Sequence, residues 1–163
     1  MKKISLALIF ISTLSFAQDK KKAYEKVEEG ITLHDAGNYT EAIAKYDEAL
    51  SLDRNNLLAL TEKALTLEAS KKYNEAIEIC EIILKHFQDK DSKSIYVTYG
   101  NCLDHLGKID KAIKIYEEGI KLYPTYYQLY YNMAIALYNA KEYDKANKAF
   151  QNSIKLNPNH TSS

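Results

Sequence analysis

The residues best suited to acid–base or metal chemistry are four histidines and two cysteines. They are His34, His86, His105, His160, Cys80 and Cys102. Each histidine stands alone, so none lies at a metal-ligand spacing from a cysteine or another histidine. The chain also lacks a phosphate-binding glycine loop and a nucleophile motif. We therefore predict a protein that is not an enzyme, with no catalytic residue, metal or cofactor.

The two cysteines occupy positions that are otherwise apolar or small in a pattern repeated along the chain. Both are therefore predicted first as buried small hydrophobic residues. The alternative is a disulfide between Cys80 and Cys102, which would require their Cα atoms to lie within bridging distance.

The first 17 residues have the layout of a secretory signal peptide. Lys2 and Lys3 precede an apolar run, residues 4–16, and the run ends at Ala17. The run is about 13 residues long, which is too short to span a bilayer comfortably. We expect cleavage after Ala17, no membrane span in the mature chain, and a location in the periplasm or at the cell surface of a bacterium. An uncleaved membrane anchor is the alternative.

The charge balance gives no reason to expect nucleic acid or an anionic membrane as a partner. Removing residues 1–17 takes away two lysines and no acid, so 20 basic and 22 acidic residues remain. The resulting net charge of −2 is well mixed along the chain. Residues 18–22 form a polar leader into the first helix.

Most of the remaining chain consists of four versions of one pattern. The stretch "GNYTEAIAKYDEAL" begins at Gly37, and related stretches begin at Lys71, Gly107 and Lys141. Their spacing is 34, 36 and 34 residues, with an insertion of two residues at Asp91-Ser92. The predicted repeats are 23–56, 57–90, 93–126 and 127–160, followed by a short tail, 161–163.

Within each repeat the apolar spacing predicts two helices joined by a tight turn. Small residues recur at two positions, Gly30, Ala64, Gly100, Ala134 and Ala42, Ala76, Ala112, Ala146. Small side chains at fixed points allow two helices to approach closely. Gly37-Asn38 supplies the turn in the first repeat, and Pro124 and Pro158 are expected to end the second helix of the last two repeats.

The period, the small residues and the aromatic spacing resemble the tetratricopeptide repeat family over residues 23–160. The resemblance implies an all-α fold, a right-handed superhelical solenoid of antiparallel helix pairs. Lys26 and Glu29 replace residues that are aromatic or apolar in the last two repeats, which is typical of a terminal repeat that faces water.

In that family the first helix of each repeat lines a concave groove that binds a segment of a partner protein. The resemblance carries this role onto Val27, Ile31, His34, Thr61, Leu65, Glu68, Val97, Asn101, Asp104, Gln128, Tyr131, Ile135 and Tyr138. None of these residues is Lys or Arg, so a clamp for a terminal carboxylate is disfavoured. Tyr131 and Tyr138 lie on one helix face and would give rigid contact area. The alternative is that the aromatic residues only join repeats three and four.

These observations predict an exported adaptor for protein–protein interaction, with three questions open. One alternative is a domain that recognises a glycan or small ligand through Tyr131, Tyr138 and Asn101. Another is the N-terminal fragment of a larger exported complex subunit. Asn147 and Ser153 replace apolar residues in the last helix, which indicates either a partial cap or a helix awaiting further repeats. Exposed apolar residues there would favour self-association.

Overall fold

The computed structural model describes the backbone of residues 2–87 and 92–158, and the side chains of residues 17–87 and 92–158. Within these ranges it contains eight α-helices and no strand. The helices are α1 Lys2–Asp35, α2 Tyr39–Leu52, α3 Leu57–Ala69, α4 Tyr73–His86, α5 Lys93–His105, α6 Ile109–Leu122, α7 Tyr127–Asn139 and α8 Tyr143–Leu156. The predicted all-α class is confirmed. The insertion at Asp91, His160 and the tail 161–163 lie outside the described residues.

The chain divides into two compact units, residues 1–66 and residues 67–163. The first unit contains α1, α2 and most of α3, and the second contains the end of α3 and α4 to α8. The long α1 takes in most of the predicted signal peptide, the polar leader 18–22 and the first helix of repeat one. Over the described residues, no helix has a stretch long and apolar enough to cross a membrane.

The second helix of a repeat buries the face that its sequence spacing predicts. In α2 the buried residues are Ala42, Tyr46 and Ala49, and the same three positions are buried in α6. Residues three and four apart lie on one side of a helix, so this spacing forms a continuous apolar stripe. As predicted, α6 and α8 end just before Pro124 and Pro158.

One backbone turn joins the two helices of every repeat. The residue at its tip has a positive φ, 78° at Gly37, 63° at Lys71, 72° at Gly107 and 65° at Lys141. The N–H groups of this residue and the next donate to carbonyls of the preceding helix over 2.8 or 2.9 Å. This is the Schellman arrangement. Glycine adopts the left-handed conformation without steric cost, whereas each lysine carries a cost of about 1 kcal/mol.

The first repeat carries a closed network of four charges between α1 and α2. The ammonium groups of Lys26 and Lys45 each contact the carboxylates of Glu29 and Glu48, over 2.9 to 3.5 Å. The hydrogen bond from Lys45 lowers the pKa of Glu29, and the bond from Lys26 lowers the pKa of Glu48. Repeat three has Tyr96 at the position of Lys26. The hydrated surface that the sequence predicts for a terminal repeat is therefore present.

Small and large side chains alternate in the core of each unit. The first unit buries Ala23, Val27, Ala42, Tyr46, Ala49 and Ala59 together. The second buries one cluster around Leu103, Ala112, Tyr116, Leu129 and Ala136 and another around Ala134, Leu137, Ala146 and Ala149. Val27 was predicted to line the groove, but its side chain is fully buried in the first cluster and has no surface to offer a partner.

Glycine allows the two helices of a repeat to approach closely at two places. A Cβ atom added at Gly30 would lie 2.4 Å from Cε1 of Tyr46, and one added at Gly100 would lie 2.2 Å from Cε1 of Tyr116. Both tyrosine rings are fully buried. The predicted close approach is therefore present, and the structure adds that a tyrosine ring fills the space left by the missing side chain.

Cys80 and Cys102 are buried free thiols. Their predicted role as small hydrophobic core residues is confirmed. Burial raises the pKa of Cys102 to about 12 and also raises the pKa of Cys80. The structure has no bond between them, and thiol labelling tests the alternative of a disulfide.

The last helix, α8, exposes part of its apolar side. Ile154 and Leu156 are exposed, and Asn147 is exposed as well. Ser153, in contrast, is buried. Of the two polar replacements that were expected to cap this helix, only Asn147 is therefore at the surface.

We expect Gly100→Ala to lower the free energy of unfolding by about 1–3 kcal/mol, because a fully buried ring cannot make room for the added methyl group. This loss exceeds the gain of about 0.5–1 kcal/mol that alanine brings over glycine in a helix. Denaturant unfolding followed by circular dichroism measures the difference.

The double variant Gly100→Ala/Tyr116→Leu is the control for this overpacking. It should be less destabilised than the sum of the two single variants, since the smaller side chain removes the clash. Strictly additive losses would show that the Tyr116 ring is not the obstacle.

We also expect neither thiol to react with a thiol reagent in the native protein at about pH 8, because the reactive thiolate is suppressed by burial. In denaturant without reductant, both cysteines of each chain should react. Fast labelling of the native protein would contradict the burial. Failure of both thiols to react in denaturant would instead show the disulfide.

Candidate functional site

The predicted groove residues of the first unit lie on α1 and α3. Ile31, His34, Thr61 and Leu65 are half-buried, whereas Val27 belongs to the core. The four half-buried side chains each keep part of their surface for a partner. No described contact joins any two of them.

A hydrogen bond in the first unit sets the tautomer of His34. Its Nδ1 lies 2.7 Å from Oγ1 of Thr66, and the Thr66 hydroxyl donates to the backbone carbonyl of Glu62 over 2.8 Å. Since the hydroxyl proton is used on that carbonyl, His34 Nδ1 must be the donor to Thr66. The other ring nitrogen, Nε2, is then the acceptor of the neutral imidazole. The ring also packs against Tyr39, with 5.4 Å between ring centroids.

The hydroxyl of Tyr46 is the unsatisfied polar group of this region. It is buried without a well-directed hydrogen bond, although Thr66 lies near it. Burial raises the pKa of Tyr46, and the charges of Glu62 and Asp35 act in the same direction. The equivalent residue of repeat three, Tyr116, does find a partner.

A hydrogen-bond network crosses the predicted groove residues of the second unit. Asn101 Nδ2 donates to Oε1 of Glu68 over 2.8 Å, and the Tyr116 hydroxyl donates to Oδ1 of Asn101 over 2.8 Å. Both the Nδ2 and the Oδ1 atoms of the Asn101 amide are thereby hydrogen-bonded. The sequence has Ile31, Leu65 and Ile135 at the position of Asn101, so one polar residue among apolar ones was the signal for this network.

Burial changes the proton affinity of the groups in this network. It raises the pKa of the Glu68 carboxyl, and the hydrogen bonds from Asn101 and Thr98 oppose the rise only in part. It also raises the pKa of Tyr116, with a further contribution from the charges of Asp104 and Glu68. The charges of both carboxylates therefore act on the same phenol.

The remaining predicted residues of the second unit lie on α5 and α7. Val97, Gln128 and Ile135 are half-buried. The carboxylate of half-buried Asp104 accepts a long hydrogen bond, 3.5 Å, from Nδ2 of Asn139. Asn139 and Tyr116 were not among the predicted site residues, because neither their spacing nor their residue type marks the contact that the fold creates.

Two tyrosines on α7 are the exposed members of the predicted groove. Tyr131 is 37% exposed and meets Phe150 edge-on, with 5.8 Å between ring centroids. Tyr138 is 60% exposed and meets Tyr143 edge-on at 5.3 Å. Each ring is held by a second ring from α8, so its orientation is restricted before any ligand binds. Both ring contacts lie within repeat four, so the alternative that the aromatic residues join repeats three and four stays a prediction.

The chemistry available at these surfaces is recognition. His105 stacks on Tyr73, with 4.8 Å between centroids and 14° between ring planes, and its charge acts on the carboxyl of Glu68. Across residues 17–87 and 92–158, no three His, Cys, Asp or Glu side chains are placed to hold a metal ion. Carboxylates, amides and exposed phenols can bind polar and aromatic groups of another molecule.

Comparisons with known proteins identify the repeat. A family model described as the N-terminal TPR repeats region of Psidin matches residues 32–161. The protein STIP1 homolog of Dictyostelium discoideum is 31% identical over 104 residues, which cover 61% of this chain and 17% of that protein. A TPR repeat-containing protein of Methanocaldococcus jannaschii is 26% identical over 128 residues, 78% of this chain and 22% of that protein. The chain thus spans about a fifth of the length of these curated relatives.

Solved structures share the fold. The crystal structure of a thermophilic TPR protein from Thermus thermophilus matches with a TM-score of 0.74 and 18% identity, covering 83% of this chain and 75% of that one. This likeness confirms the predicted class of all-α helical-repeat solenoids. Family and fold are typical of non-enzymatic scaffolds for protein–protein interaction. With four-fifths of its length matched by the family model, the chain belongs to the tetratricopeptide repeat family.

Proposed function

We propose that this chain is a non-enzymatic adaptor, exported from the cytoplasm, that binds a segment of another protein on the groove face of its first helices. The observation that carries the proposal is the pair of exposed tyrosines, Tyr131 and Tyr138, on α7. Exposed, pre-oriented phenol rings supply large contact area at low cost in side-chain entropy, and tyrosine is enriched among residues that dominate binding energy.

The surroundings of the tyrosines support a peptide-like partner. Asn101, Asp104 and Glu68 offer hydrogen-bonding groups on the same unit, and half-buried Ile135 and Val97 offer apolar surface. An interface with apolar anchors and scattered polar groups suits a protein segment better than a single small molecule. One matching relative is itself a TPR repeat-containing protein, and membership of this repeat family supports a protein partner in general.

The glycan or small-ligand alternative is not favoured by the geometry of Asn101. Its Oδ1 already accepts from Tyr116, and one of its N–H groups is used on Glu68. One N–H and one lone pair of Oδ1 are left for a sugar hydroxyl. Tyr131 and Tyr138 would then have to supply most of the remaining recognition.

A crosslinking pull-down of the tagged protein from its own cells tests the groove. We expect the wild type to capture a partner protein and Tyr131→Ala/Tyr138→Ala to lose at least about 30-fold in affinity, the effect of removing about 2 kcal/mol at a hot spot. Leu122→Ala is the matched control, because Leu122 is a similarly exposed apolar residue at the end of α6. Circular dichroism checks that each variant is folded.

Equal capture by the wild type and the tyrosine variant would contradict the groove as the binding surface. Recovery of a second copy of this chain with both baits would show self-association that does not depend on the two tyrosines, with exposed Ile154 and Leu156 on α8 as the next residues to substitute. Loss of capture in the Leu122 control as well would show a general effect on the fold.

The export part of the proposal rests on residues 1–17 and has its own test. Intact-mass analysis of the protein recovered outside the cytoplasm should show a chain that begins at Gln18. Ala17→Tyr is expected to block cleavage, because signal peptidases require a small residue before the cut. A cytoplasmic chain that still begins at Met1 would contradict export, and it would leave the pull-down result unaffected.

A further inference from the structure

One side of α8 is open where the same side of α6 is covered. Three isoleucines of α6 are half-buried against a core cluster to which α7 contributes, namely Ile109, Ile113 and Ile120. The residues 34 positions later in α8 are Tyr143, Asn147 and Ile154. All three are exposed, Tyr143 by 56% and Ile154 by 43%. In the second unit α7 packs on both α5 and α6, and no described helix takes the corresponding place on α7 and α8.

The open residues form a stripe with the spacing of a helix-pairing face. The α8 stripe consists of Tyr143, Asn147, Phe150 and Ile154, which are 4, 3 and 4 residues apart. Phe150 is half-buried, because its ring meets Tyr131 of α7, and the other three are exposed. Residues that alternate at intervals of three and four lie along one side of a helix, and two helices pair side by side through such a stripe.

The first repeat of another copy does not suit the α8 stripe. Its α1–α2 surface carries the closed network of Lys26, Glu29, Lys45 and Glu48. An apolar stripe laid over these charges would remove their water without supplying new partners. Head-to-tail stacking of copies is therefore disfavoured. A contact between α8 of one copy and α8 of another does not carry this cost.

The flank of the α8 stripe is complementary in charge to itself. Asp144 lies in the first turn of α8 and Lys155 lies in the last turn, and both are exposed. They are 11 residues apart, close to three full helical turns, so they share one flank. In the part of the chain that the structure describes, neither forms an ion pair.

An antiparallel pair of α8 helices would use these charges twice. When Tyr143 of one copy faces Ile154 of the other, residues on the same flank face each other across the twofold axis. Asp144 of each copy then lies within reach of Lys155 of the other copy. The antiparallel direction also places the positive end of one helix dipole beside the negative end of the other.

We propose that two copies of this chain pair through antiparallel α8 helices, with their α8 stripes in contact. The 14 residues of α8 form a face about 21 Å long and about 10 Å wide, which is well below the about 800 Å² per partner of a standard interface. The pairing is therefore reversible, and the amide of Asn147 in the stripe weakens it further. This inference goes beyond the proposed function and does not depend on the groove of the first helices.

Sedimentation equilibrium of the chain recovered from its own cells, at low ionic strength, measures the pairing. We expect the mass of two chains to appear with a dissociation constant on the order of 100 µM. A wild-type chain that stays monomeric up to about 1 mM would overturn the inference. The α8 stripe would then be a surface for a different protein.

Charge reversal tests which residues meet. Asp144→Lys and Lys155→Asp should each weaken the dimer at least about fivefold, because each variant places like charges together twice. An equimolar mixture of the two variants should form the heterodimer, in which both pairs are attractive again. Equal dissociation constants for the wild type and the two variants would overturn the antiparallel contact. They would point to another surface, such as the apolar run, residues 4–16.

The double variant Asp144→Lys/Lys155→Asp separates pairing from helix stability. Each reversal opposes the helix dipole, so damage to the fold would be largest in the double variant. The proposed contact predicts the opposite, a dissociation constant within about twofold of the wild type. A double variant that is folded by circular dichroism but remains monomeric would overturn the inference.

The matched control is Asp110→Lys, which changes the same residue type in the first turn of α6. It should leave the dissociation constant unchanged, because α6 takes no part in the proposed contact. A control that weakens the dimer as much as Asp144→Lys would overturn the inference, since the effect would then depend on net charge alone.

Asn147→Ile restores the isoleucine of the other three repeats, Ile43, Ile77 and Ile113. We expect this variant to tighten the dimer at least about tenfold, because each copy then buries an apolar side chain in place of an amide. An unchanged dissociation constant would show that the α8 stripe lies outside the contact.

The pairing and the proposed function can fail separately. Sedimentation of the pure chain uses no partner protein, and the charge variants leave Tyr131 and Tyr138 unchanged. A wild type that is monomeric but loses its captured partner in Tyr131→Ala/Tyr138→Ala would overturn the pairing and leave the groove in place. A dimer that responds to the charge variants supports the pairing whatever the pull-down shows.

Discussion

The close approach of two helices at a missing side chain shapes the core of each unit and, in repeat three, links that core to a predicted groove residue. At Gly30 and Gly100 the space for a Cβ atom is taken by the ring of a fully buried tyrosine. The ring fills the core, and in repeat three its hydroxyl continues to the groove face and fixes Asn101. Because Asn101 in turn positions Glu68, the orientation of a surface carboxylate depends on a glycine in the core. The packing of the core and the orientation of two predicted groove residues, Asn101 and Glu68, therefore depend on one chain of contacts.

The turn between the two helices of each repeat fixes the end of the first helix. At each turn a residue with positive φ donates its N–H to the carbonyl of a predicted groove residue, namely His34, Glu68, Asp104 or Tyr138. The end of each first helix is thereby closed by its own backbone, so the side chain at that position leaves from a fixed point. Two of the four turns use lysine where glycine would be less strained.

Charged residues have different surroundings on the α1–α2 surface of repeat one and on α3. In repeat one, four charges between α1 and α2 neutralise one another and keep a hydrated surface. On α3, burial raises the pKa of the half-buried carboxyls of Glu62 and Glu68, and the charges of His34 on Glu62 and of His105 on Glu68 oppose the rise.

The repeat, the all-α class, the helix ends at the prolines and the hydrated first repeat could be predicted from the sequence, because each depends on local spacing and residue type. The placement of Val27 could not, since its fully buried position depends on the neighbouring helices of the first unit. The sequence also could not predict that the Tyr116 hydroxyl is hydrogen-bonded whereas the Tyr46 hydroxyl is not. The two tyrosines occupy equivalent positions, but Ile31 offers no acceptor where Asn101 does. Sequence periodicity determines which face of a helix is buried, whereas hydrogen-bond partners and exposure depend on distances between helices that only the tertiary structure sets.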